Sequence, residues 1–284
     1  MKKILLALLS IVTLGGFAQK TENALLWKIS GNGLAKPSYL FGTLHILCDA
    51  TLDKNTTNAL DATQQLYLEL DMDDPSLQAS MMGGMMMKDG KTMSSLTSPE
   101  DFKIVDEFLT KQTGHSAKML NTMVAQCVSV MLMPKMLDCP VQSIEGKLME
   151  ATKAQGEEVR GLETVEVQLA AFDAIPYEDQ MKELVRTAKD NMAGDKQKYM
   201  RMLALYKNKD LNGLMAYMHE EENRMYADHA DVMLDNRNAS WIPVMEAAAK
   251  EKPTFFGVGA AHLGGPKGVI ALLRKKGYKV EAVQ

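Results

Sequence analysis

Residues 255–262 read FFGVGAAH, and residues 39–45 near the other end of the chain read YLFGTLH. Each is a short aromatic and aliphatic run typical of a buried β-strand, and each ends in a glycine followed three residues later by a histidine. We expect the glycine to let the backbone leave the strand at an unusual angle. His45 and His262 then lie just beyond the carboxyl ends of their strands, where open α/β sheets place ligands and catalytic groups.

A third apolar run, residues 66–70 (LYLEL), adds acidic side chains to this pattern. It carries Glu69, with Asp71 two residues later, and strand alternation places both carboxylates on one face. A carboxylate inside an apolar run needs a partner. Two imidazoles and one carboxylate are the ligand types of a divalent Zn, Mn or Co ion, which can activate water for hydrolysis. Without a metal, the same residues predict a histidine base oriented by Glu69.

Six β-rich runs and several helical patterns surround these motifs. The β-rich runs are residues 25–30, 38–42, 66–70, 158–162, 254–259 and 278–283. The turn cluster Gly31-Asn32-Gly33 predicts a hairpin between the first two. Ser98 and Pro99 begin a helix, as an N-cap residue and a proline at the first helical position. Further helical patterns cover residues 116–135, 144–155, 164–174, 177–206 and 223–250.

Strands at both ends of the chain, with helices between them, predict one sheet built from distant segments. Because the terminal strands must pair, we expect a single domain over residues 19–284, of α/β (α+β-like) class. A central mixed sheet forms its core. The helical parts, at residues 72–150 and 164–250, form a large insertion that packs against the sheet or caps it.

The first eighteen residues predict a cleaved signal peptide. Lys2 and Lys3 precede an apolar run at residues 4–14, and small residues follow at a cleavage site. The run is shorter than the roughly 20 apolar residues of a membrane span, and no later stretch approaches that length. We therefore expect a secreted or periplasmic protein with no membrane span after cleavage, and a buried N-terminal helix is the alternative. A net charge of −4 argues against a nucleic-acid partner.

The cysteines and a methionine run leave alternatives open. An exported chain can form a disulfide, and Cys127 and Cys139 could close a loop, although spacing alone establishes no bond. Cys48, which lies three residues after His45, is either a soft metal ligand or a packing residue. Residues 81–87 (MMGGMMM) predict either a flexible apolar loop or a thioether site for Cu(I).

Several segments resemble the TraB/GumN family, whose animal relatives are the TIKI proteases. In chain order they are LLWKIS (residues 25–30), SYLFGTLHIL (38–47), LYLELD (66–71), RGLETVEVQLAAF (160–172), DNRNASWIPVM (235–245) and FFGVGAAHLGGPKGVIALLRKKGY (255–278). The family's marks are two G-x-x-H motifs, an acidic residue and a downstream arginine, matched here by Gly42 with His45, Gly259 with His262, Glu69 and Arg237. The resemblance implies a fold related to the erythromycin-esterase and ChaN-like proteins. For the TIKI branch it also implies divalent-metal-dependent peptide cleavage.

Other polar residues have two interpretations each. Arg237, next to Asn238 in a helical stretch, could bind a substrate carboxylate or a developing oxyanion, or form a surface ion pair. Glu163 follows a predicted strand and is either a further site residue or an acid at a helix N-terminus. The remaining histidines lie in polar helical surroundings and are expected at the surface: His115, His219 and His229.

The favoured hypothesis is an exported metal-dependent hydrolase that cleaves peptides. His45, Glu69 and His262 would hold the ion and its water, and Arg237 would position the substrate. One alternative is a non-catalytic protein that holds a peptide or small ligand in the same cleft. Another is a metal- or haem-handling protein, suggested by the ChaN-like resemblance and the methionine run.

Overall fold

Six strands form one mixed sheet in the computed structural model, which describes residues 22–284. The strands are β1 Leu26–Ser30, β2 Ser38–Thr43, β3 Gln65–Leu68, β4 Glu158–Gly161, β5 Phe255–Gly259 and β6 Lys279–Ala282. Their order across the sheet is β4-β3-β5-β2-β1-β6. All six β-rich runs therefore form strands, and the predicted central mixed sheet is confirmed. The predicted signal peptide at residues 1–18 lies outside the described residues.

The four strands β4, β3, β5 and β2 run parallel to one another, so their carboxyl ends share one edge of the sheet. The hairpin pairs β1 antiparallel with β2, and β6 pairs antiparallel with β1. Gly31, Asn32 and Gly33 turn the hairpin with φ angles of 77°, 46° and 83°. Glycine and asparagine tolerate this left-handed region better than other residues.

Twelve α-helices account for most of the remaining described residues. They are α1 Lys54–Asp61, α2 Leu77–Gly84, α3 Pro99–Thr113, α4 Ala125–Leu132, α5 Ile144–Ala154, α6 Val165–Asp173, α7 Tyr177–Lys189, α8 Ala193–Lys207, α9 Leu211–Met218, α10 Arg224–Asp228, α11 Asn236–Glu251 and α12 Val269–Lys275. A π-helical turn, Asp231–Asp235, leads directly into α11. The Ser98 side chain accepts a hydrogen bond from the Asp101 amide at the start of α3, as its sequence predicts.

Apolar side chains bury both faces of the sheet because neighbouring residues on a strand point in opposite directions. Leu40 and Phe256 pack with Trp241 of α11 on one face. Phe41 and Phe255 pack on the other face with side chains of α5 and α8. A third cluster joins α3, α4, α6 and α7. The helical segments thus cover the sheet and also build a core of their own.

Three predicted helical patterns are shorter or divided in the structure. The 223–250 pattern divides into α10, the π-helical turn and α11. The 177–206 pattern divides into α7 and α8, because Asn191 and Met192 adopt left-handed φ angles of 53° and 65°. Only α4 and a 3₁₀ turn form within 116–135, because residues 121–124 make backbone hydrogen bonds to residues 85–93 instead. Helices α1 and α12 lie outside every predicted helical segment, and α9 lies in the 164–250 segment without a pattern of its own.

The methionine run is not a flexible loop. Residues up to Gly84 belong to α2, and Met86 forms an isolated β-bridge with Met123. Met87 is buried in the helical core. The prediction of a flexible segment is therefore wrong, because tertiary contacts order these residues.

A disulfide joins Cys48 to Cys139, and Cys127 is a buried free thiol among the described residues. The considered pairing of Cys127 with Cys139 is therefore wrong, since Cys127 lies inside α4, in the helical core. Cys48 is also unavailable as a soft metal ligand. Within residues 22–284, no helix is long and apolar enough to cross a membrane.

Candidate functional site

The shared edge of the four parallel strands gathers the candidate residues. Glu163 follows β4, Glu69 follows β3, His262 follows β5 and His45 follows β2. Neighbouring strands lie about 5 Å apart, so this order places the two histidines on adjacent strand ends. The charge of His45 contributes to lowering the pKa of His262. Both G-x-x-H histidines therefore contribute to one electrostatic site.

The motif glycines serve close packing rather than unusual backbone angles. Neither Gly42 nor Gly259 has a positive φ. A side chain on Gly42 would come within 2.7 Å of Leu263 Cδ1 and 3.1 Å of Ala260 Cα. The expectation that these glycines adopt an unusual backbone angle is thus wrong for φ, since neither lies in the left-handed region. Gly42 is needed because the chain that carries the second histidine passes directly against β2.

His262 is buried, and its hydrogen bonds define one neutral tautomer. Its Nδ1 lies 2.7 Å from Oδ1 of Asn238, which can only accept, so Nδ1 carries the proton. The Nε2 lone pair then faces Arg237 Nη1 at 3.3 Å. Burial lowers the pKa of His262 to about 4, and Arg237 adds to this effect while Glu69 opposes it. His262 is therefore neutral at pH 7.

His45 has the opposite electrostatic setting. Its side chain is 61% exposed, and its Nδ1 lies 2.7 Å from Oε1 of Glu145, whose side chain is 8% exposed. The hydrogen bond to Glu145 raises the pKa of His45 to about 9, against the opposing effect of desolvation. The two histidines of the site therefore carry different charges at pH 7.

Glu69 lies between the two histidine strands and the buried arginine. Its Oε1 accepts the Gly259 amide at 2.8 Å, and its Oε2 accepts Arg237 Nη2 at 2.7 Å and Gln168 Nε2 at 3.2 Å. Burial opposes ionisation, but nearby positive charge and the Gly259 amide outweigh it and lower the pKa of Glu69 to about 2. Because His262 is neutral at pH 7, Arg237 is the main cation that holds this carboxylate ionised at that pH.

Arg237 is buried, and all five of its N–H donors are engaged. It donates to both oxygens of Glu163, to Glu69 Oε2, to the Met233 carbonyl and to His262 Nε2. A guanidinium has five donors, so none remains for a substrate. The prediction that Arg237 positions the substrate stays a prediction, and a surface ion pair is excluded because the side chain is buried. Arg237 instead orients Glu69 and His262.

Glu163 anchors this arginine. Its side chain is 2% exposed, and it accepts hydrogen bonds from Arg237 and, at 2.9 Å, from the indole of Trp241. It precedes Thr164, the N-cap of α6, and so lies outside the helix. The interpretation of Glu163 as an acid at a helix N-terminus is therefore wrong. Glu163 belongs to the site because its carboxylate compensates the charge of the buried Arg237.

Glu145 and Gln168 are site residues that the sequence did not reveal. Each lies on a helix and reaches the site only through tertiary packing. Asp71, which was expected on the same face as Glu69, interacts with Asp73 instead, since β3 ends at Leu68 and strand alternation does not extend to these residues. The remaining histidines are exposed or half-buried, which confirms the expectation that they lie at the surface: His115, His219 and His229.

The donors fit a divalent ion in their kind. In both histidines Nδ1 is engaged by an oxygen, Glu145 Oε1 or Asn238 Oδ1, as in metal sites where an outer partner fixes the ring. An ion at His262 Nε2 would replace the contact with Arg237 Nη1. Glu69 adds an ionised carboxylate whose Oε1 lies 3.7 Å from His262 Nε2. The part of the chain that the structure describes gathers no three histidine, cysteine or acidic side chains around one point. The site therefore offers suitable ligands without presenting a closed cage.

A groove of about 280 Å³ opens beside the buried arginine, between α6 and the segment that leads into α11. Val167, Ala170 and Val232 line its apolar part, and Asn236 and Arg237 line its polar part. Val167 is 44% exposed, which is unusual for a large aliphatic side chain. The groove is suited to a small apolar group next to the candidate site.

Comparisons with known proteins identify the family of the chain. The family model described as the TraB/PrgY/gumN family matches residues 25–282. The curated protein "Metalloprotease TIKI2" of Danio rerio is 23% identical over 320 aligned residues, which cover 93% of this chain and 62% of that protein. The chain thus spans less than two thirds of that relative's length. No solved structure matches the chain significantly, so no structural neighbour supports the expected likeness to erythromycin-esterase and ChaN-like folds. The family match spans both G-x-x-H motifs and every strand from β1 to β6, and the chain belongs to the TraB/PrgY/gumN family.

Proposed function

We propose that this protein is a metal-dependent hydrolase that cleaves peptides, with a divalent Mn, Co or Zn ion held by His45, Glu69 and His262. One observation carries the proposal. Two imidazoles from opposite ends of the chain reach one sheet edge beside an ionised carboxylate, each with Nδ1 already engaged. Similarity to a protein named as a metalloprotease supports the same chemistry.

The protein's own residues prepare these donors. Asn238 fixes the His262 tautomer and so leaves Nε2 as an acceptor, which an ion would take over from Arg237 Nη1. Arg237 and the Gly259 amide hold Glu69 ionised. A divalent ion, when bound, supplies the Lewis acidity that activates water and polarises a carbonyl group. His45 must release its proton before it can act as a ligand, because only a neutral imidazole binds a metal.

The groove beside Arg237 supports a peptide as substrate. Its apolar lining from α6 and the π-helical turn could take an aliphatic side chain. Asn236 adds a side-chain amide that could bind a peptide carbonyl or amide group. A short apolar recess with a polar wall is the usual form of a side-chain subsite.

Export is part of the same proposal. The N-terminal pattern at residues 1–18 predicts a signal peptide. The bond between Cys48 and Cys139 is of the kind that persists in oxidising compartments. We therefore place the protein in the periplasm or outside the cell.

A peptide-library screen tests the function. The protein is stripped with a chelator, supplied with Mn²⁺, Co²⁺ or Zn²⁺ in turn, and incubated with peptides whose cleavage is followed by mass spectrometry. We expect cleavage that the chelator abolishes and that His45→Ala and His262→Ala both lack. His219→Ala, which removes an exposed histidine far along the chain, is the matched control and should cleave normally.

The alternatives predict different results in the same screen. Peptides that bind without being cut, with every ion, would identify a non-catalytic binding protein. Metal binding that depends on residues 81–87, and not on His45 or His262, would identify the metal-handling alternative. Either result would contradict the proposed hydrolase.

A further inference from the structure

The segment that carries His45 has no regular secondary structure to hold it. Strand β2 ends at Thr43, and α1 begins only at Lys54. The His45 side chain is also 61% exposed, so packing does not fix it. The position of this imidazole must therefore depend on contacts with another part of the chain.

Residues 139–145, which we name the strap, supply those contacts. Cys139 is bonded to Cys48. Gln142 and Leu47 exchange two backbone hydrogen bonds of 2.8 Å each. The Gln142 side chain also accepts the Ala50 amide at 3.3 Å. The strap thus binds the chain on the far side of His45 through both a covalent bond and a short antiparallel bridge.

The same strap delivers the partner of the His45 ring. It enters α5 at Ser143, whose side chain accepts the Gly146 amide at 3.0 Å and so caps the helix. The cap fixes Glu145 in the first turn. From there Glu145 Oε1 reaches His45 Nδ1 at 2.7 Å. One short segment therefore holds both the backbone after His45 and its imidazole.

Glu145 is poorly arranged for stability alone. Its Oε2 is buried without a hydrogen-bond partner among the described residues, and the neighbouring Thr43 hydroxyl is likewise unpartnered. Thr43 lies near enough to help lower the pKa of Glu145, but it falls outside hydrogen-bonding geometry. A buried carboxylate oxygen without a partner is unfavourable. The one strong contact of Glu145 is with a candidate site residue.

We propose that Glu145 is a positioning residue that, together with the strap, holds His45 with Nδ1 turned toward Glu145 and Nε2 left for the site. The use of Nε2 as a ligand rests on the proposed function, whereas the orientation of the ring does not. The proposal assigns α5 and the disulfide to the site, although neither contributes a ligand.

The test measures the imidazole directly by nitrogen-15 NMR on the metal-free protein at pH 10, where His45 is neutral. The wild-type ring should show the Nδ1–H tautomer, since Glu145 can only accept. Glu145→Gln should keep most of this tautomer, because an amide oxygen still accepts, and Glu145→Leu should lose it to the Nε2–H form. Glu150→Gln, an exposed residue of the same helix that pairs with Lys147, is the matched control and should leave the signal unchanged.

Two further measurements separate positioning from folding and from the proposed function. Thermal unfolding of Glu145→Leu, measured at pH 10 where His45 is neutral in both proteins, should be unchanged or shifted upward, while its affinity for Mn²⁺ falls 10- to 100-fold, as for other outer partners of metal ligands. A Cys48→Ser, Cys139→Ser double variant should exchange the Leu47 and Gln142 amides faster and mix the two His45 tautomers. Cys127→Ala should do neither.

The outcomes are distinguishable. An unchanged His45 tautomer in Glu145→Leu overturns the proposal, whatever the protein does with metal. An altered tautomer in a protein that binds no Mn²⁺, Co²⁺ or Zn²⁺ supports the positioning role and overturns the metal-dependent function instead. Unchanged tautomers in the double serine variant overturn the part assigned to the strap.

Discussion

His45 and His262 belong to the same kind of motif, but their pKa values are shifted in opposite directions. Burial lowers the pKa of His262 to about 4, whereas the hydrogen bond to Glu145 raises the pKa of His45 to about 9. Both come from the same edge of the sheet, so the difference arises from their surroundings. His262 is buried, with Arg237 nearby, whereas His45 is exposed and lies against the Glu145 carboxylate. Burial thus keeps His262 neutral, and the Glu145 carboxylate keeps His45 protonated.

This difference predicts proton release on metal binding. At pH 7.5, His262 and Glu69 already lack their protons, because their pKa values lie near 4 and 2, whereas His45 is protonated. Binding should therefore release about one proton per ion, and the release should disappear above pH 9. Calorimetric titration with Mn²⁺ in buffers of different ionisation enthalpy measures this number. Release of no proton at pH 7.5 would contradict ligation by His45.

His262 also predicts loss of stability in acid. Its folded pKa of about 4 is below its ordinary value of 6.5, so the unfolded chain binds more protons between these pH values. The free energy of unfolding of the metal-free protein should therefore fall by up to about 3 kcal/mol as the pH falls from 6.5 to 4. Glu69, whose pKa is also lowered, adds a further loss below pH 4.5.

Urea unfolding at several pH values, followed by tryptophan fluorescence, measures this dependence. His262→Gln should show a shallower slope between pH 6.5 and 4, since glutamine does not titrate. The same slope in both proteins would show that His262 is not the group responsible.

Arg237 and Glu163 form a buried pair in which each residue compensates the other's charge. Removing one partner should therefore cost about 3–5 kcal/mol, because the other is left buried and uncompensated. Arg237→Met and Glu163→Gln, together with the double variant, form a double-mutant cycle in urea unfolding. We expect the double variant to be clearly more stable than the sum of the single losses predicts. Additive losses would contradict a direct coupling.

At the scale of elements, the parallel strands explain why distant residues meet. Strands β2 and β5 come from opposite ends of the chain but are neighbours in the sheet, with Thr43 opposite Gly259. The two glycine-histidine motifs are therefore adjacent through strand pairing alone. Helices α5, α6 and α11 then add the hydrogen-bonding partners. The sheet places the candidate ligands, and the helices orient them.

The disulfide connects two such elements, and its removal should be measurable. It closes a loop across a sequence separation of 91 residues, and loops of this length are associated with about 2–5 kcal/mol of stabilisation. The Cys48→Ser, Cys139→Ser double variant should therefore unfold at a lower urea concentration. Cys127→Ala, which removes the buried free thiol, controls for the loss of sulfur. A double variant as stable as the wild type would show that hydrogen bonds alone hold the strap.

At the scale of the whole molecule, sequence patterns predicted the sheet better than the helices. Each strand is a short apolar run bounded by turn residues, which is a local signal. The break at Asn191 and Met192 and the extended course of residues 121–124 depend on tertiary contacts, so periodicity did not reveal them. Disulfide pairing likewise depends on tertiary structure, and the spacing of the cysteines left it open.

The candidate site likewise contains residues that local sequence patterns predict and residues that they do not. His45, Glu69 and His262 were predictable because each follows a recognisable strand. Glu145 was not, since it lies 100 residues from His45 and reaches it from a helix. The only local hint was an acid just after the Ser143 helix start, which is equally typical of an ordinary helix N-terminus. Side chains that reach the site from packed helices can be identified only from the three-dimensional structure.

The proposed hydrolase requires that the two histidines bind one ion. The direct measurement is calorimetric titration of the chelator-treated protein with Mn²⁺, Co²⁺ and Zn²⁺, compared with His45→Ala and His262→Ala, each checked for folding by circular dichroism. We predict one ion bound per chain and loss of that binding in both variants, with His219→Ala unaffected. Binding that persists in either folded variant, or no binding by the wild type, would show that His45 and His262 do not hold one ion together.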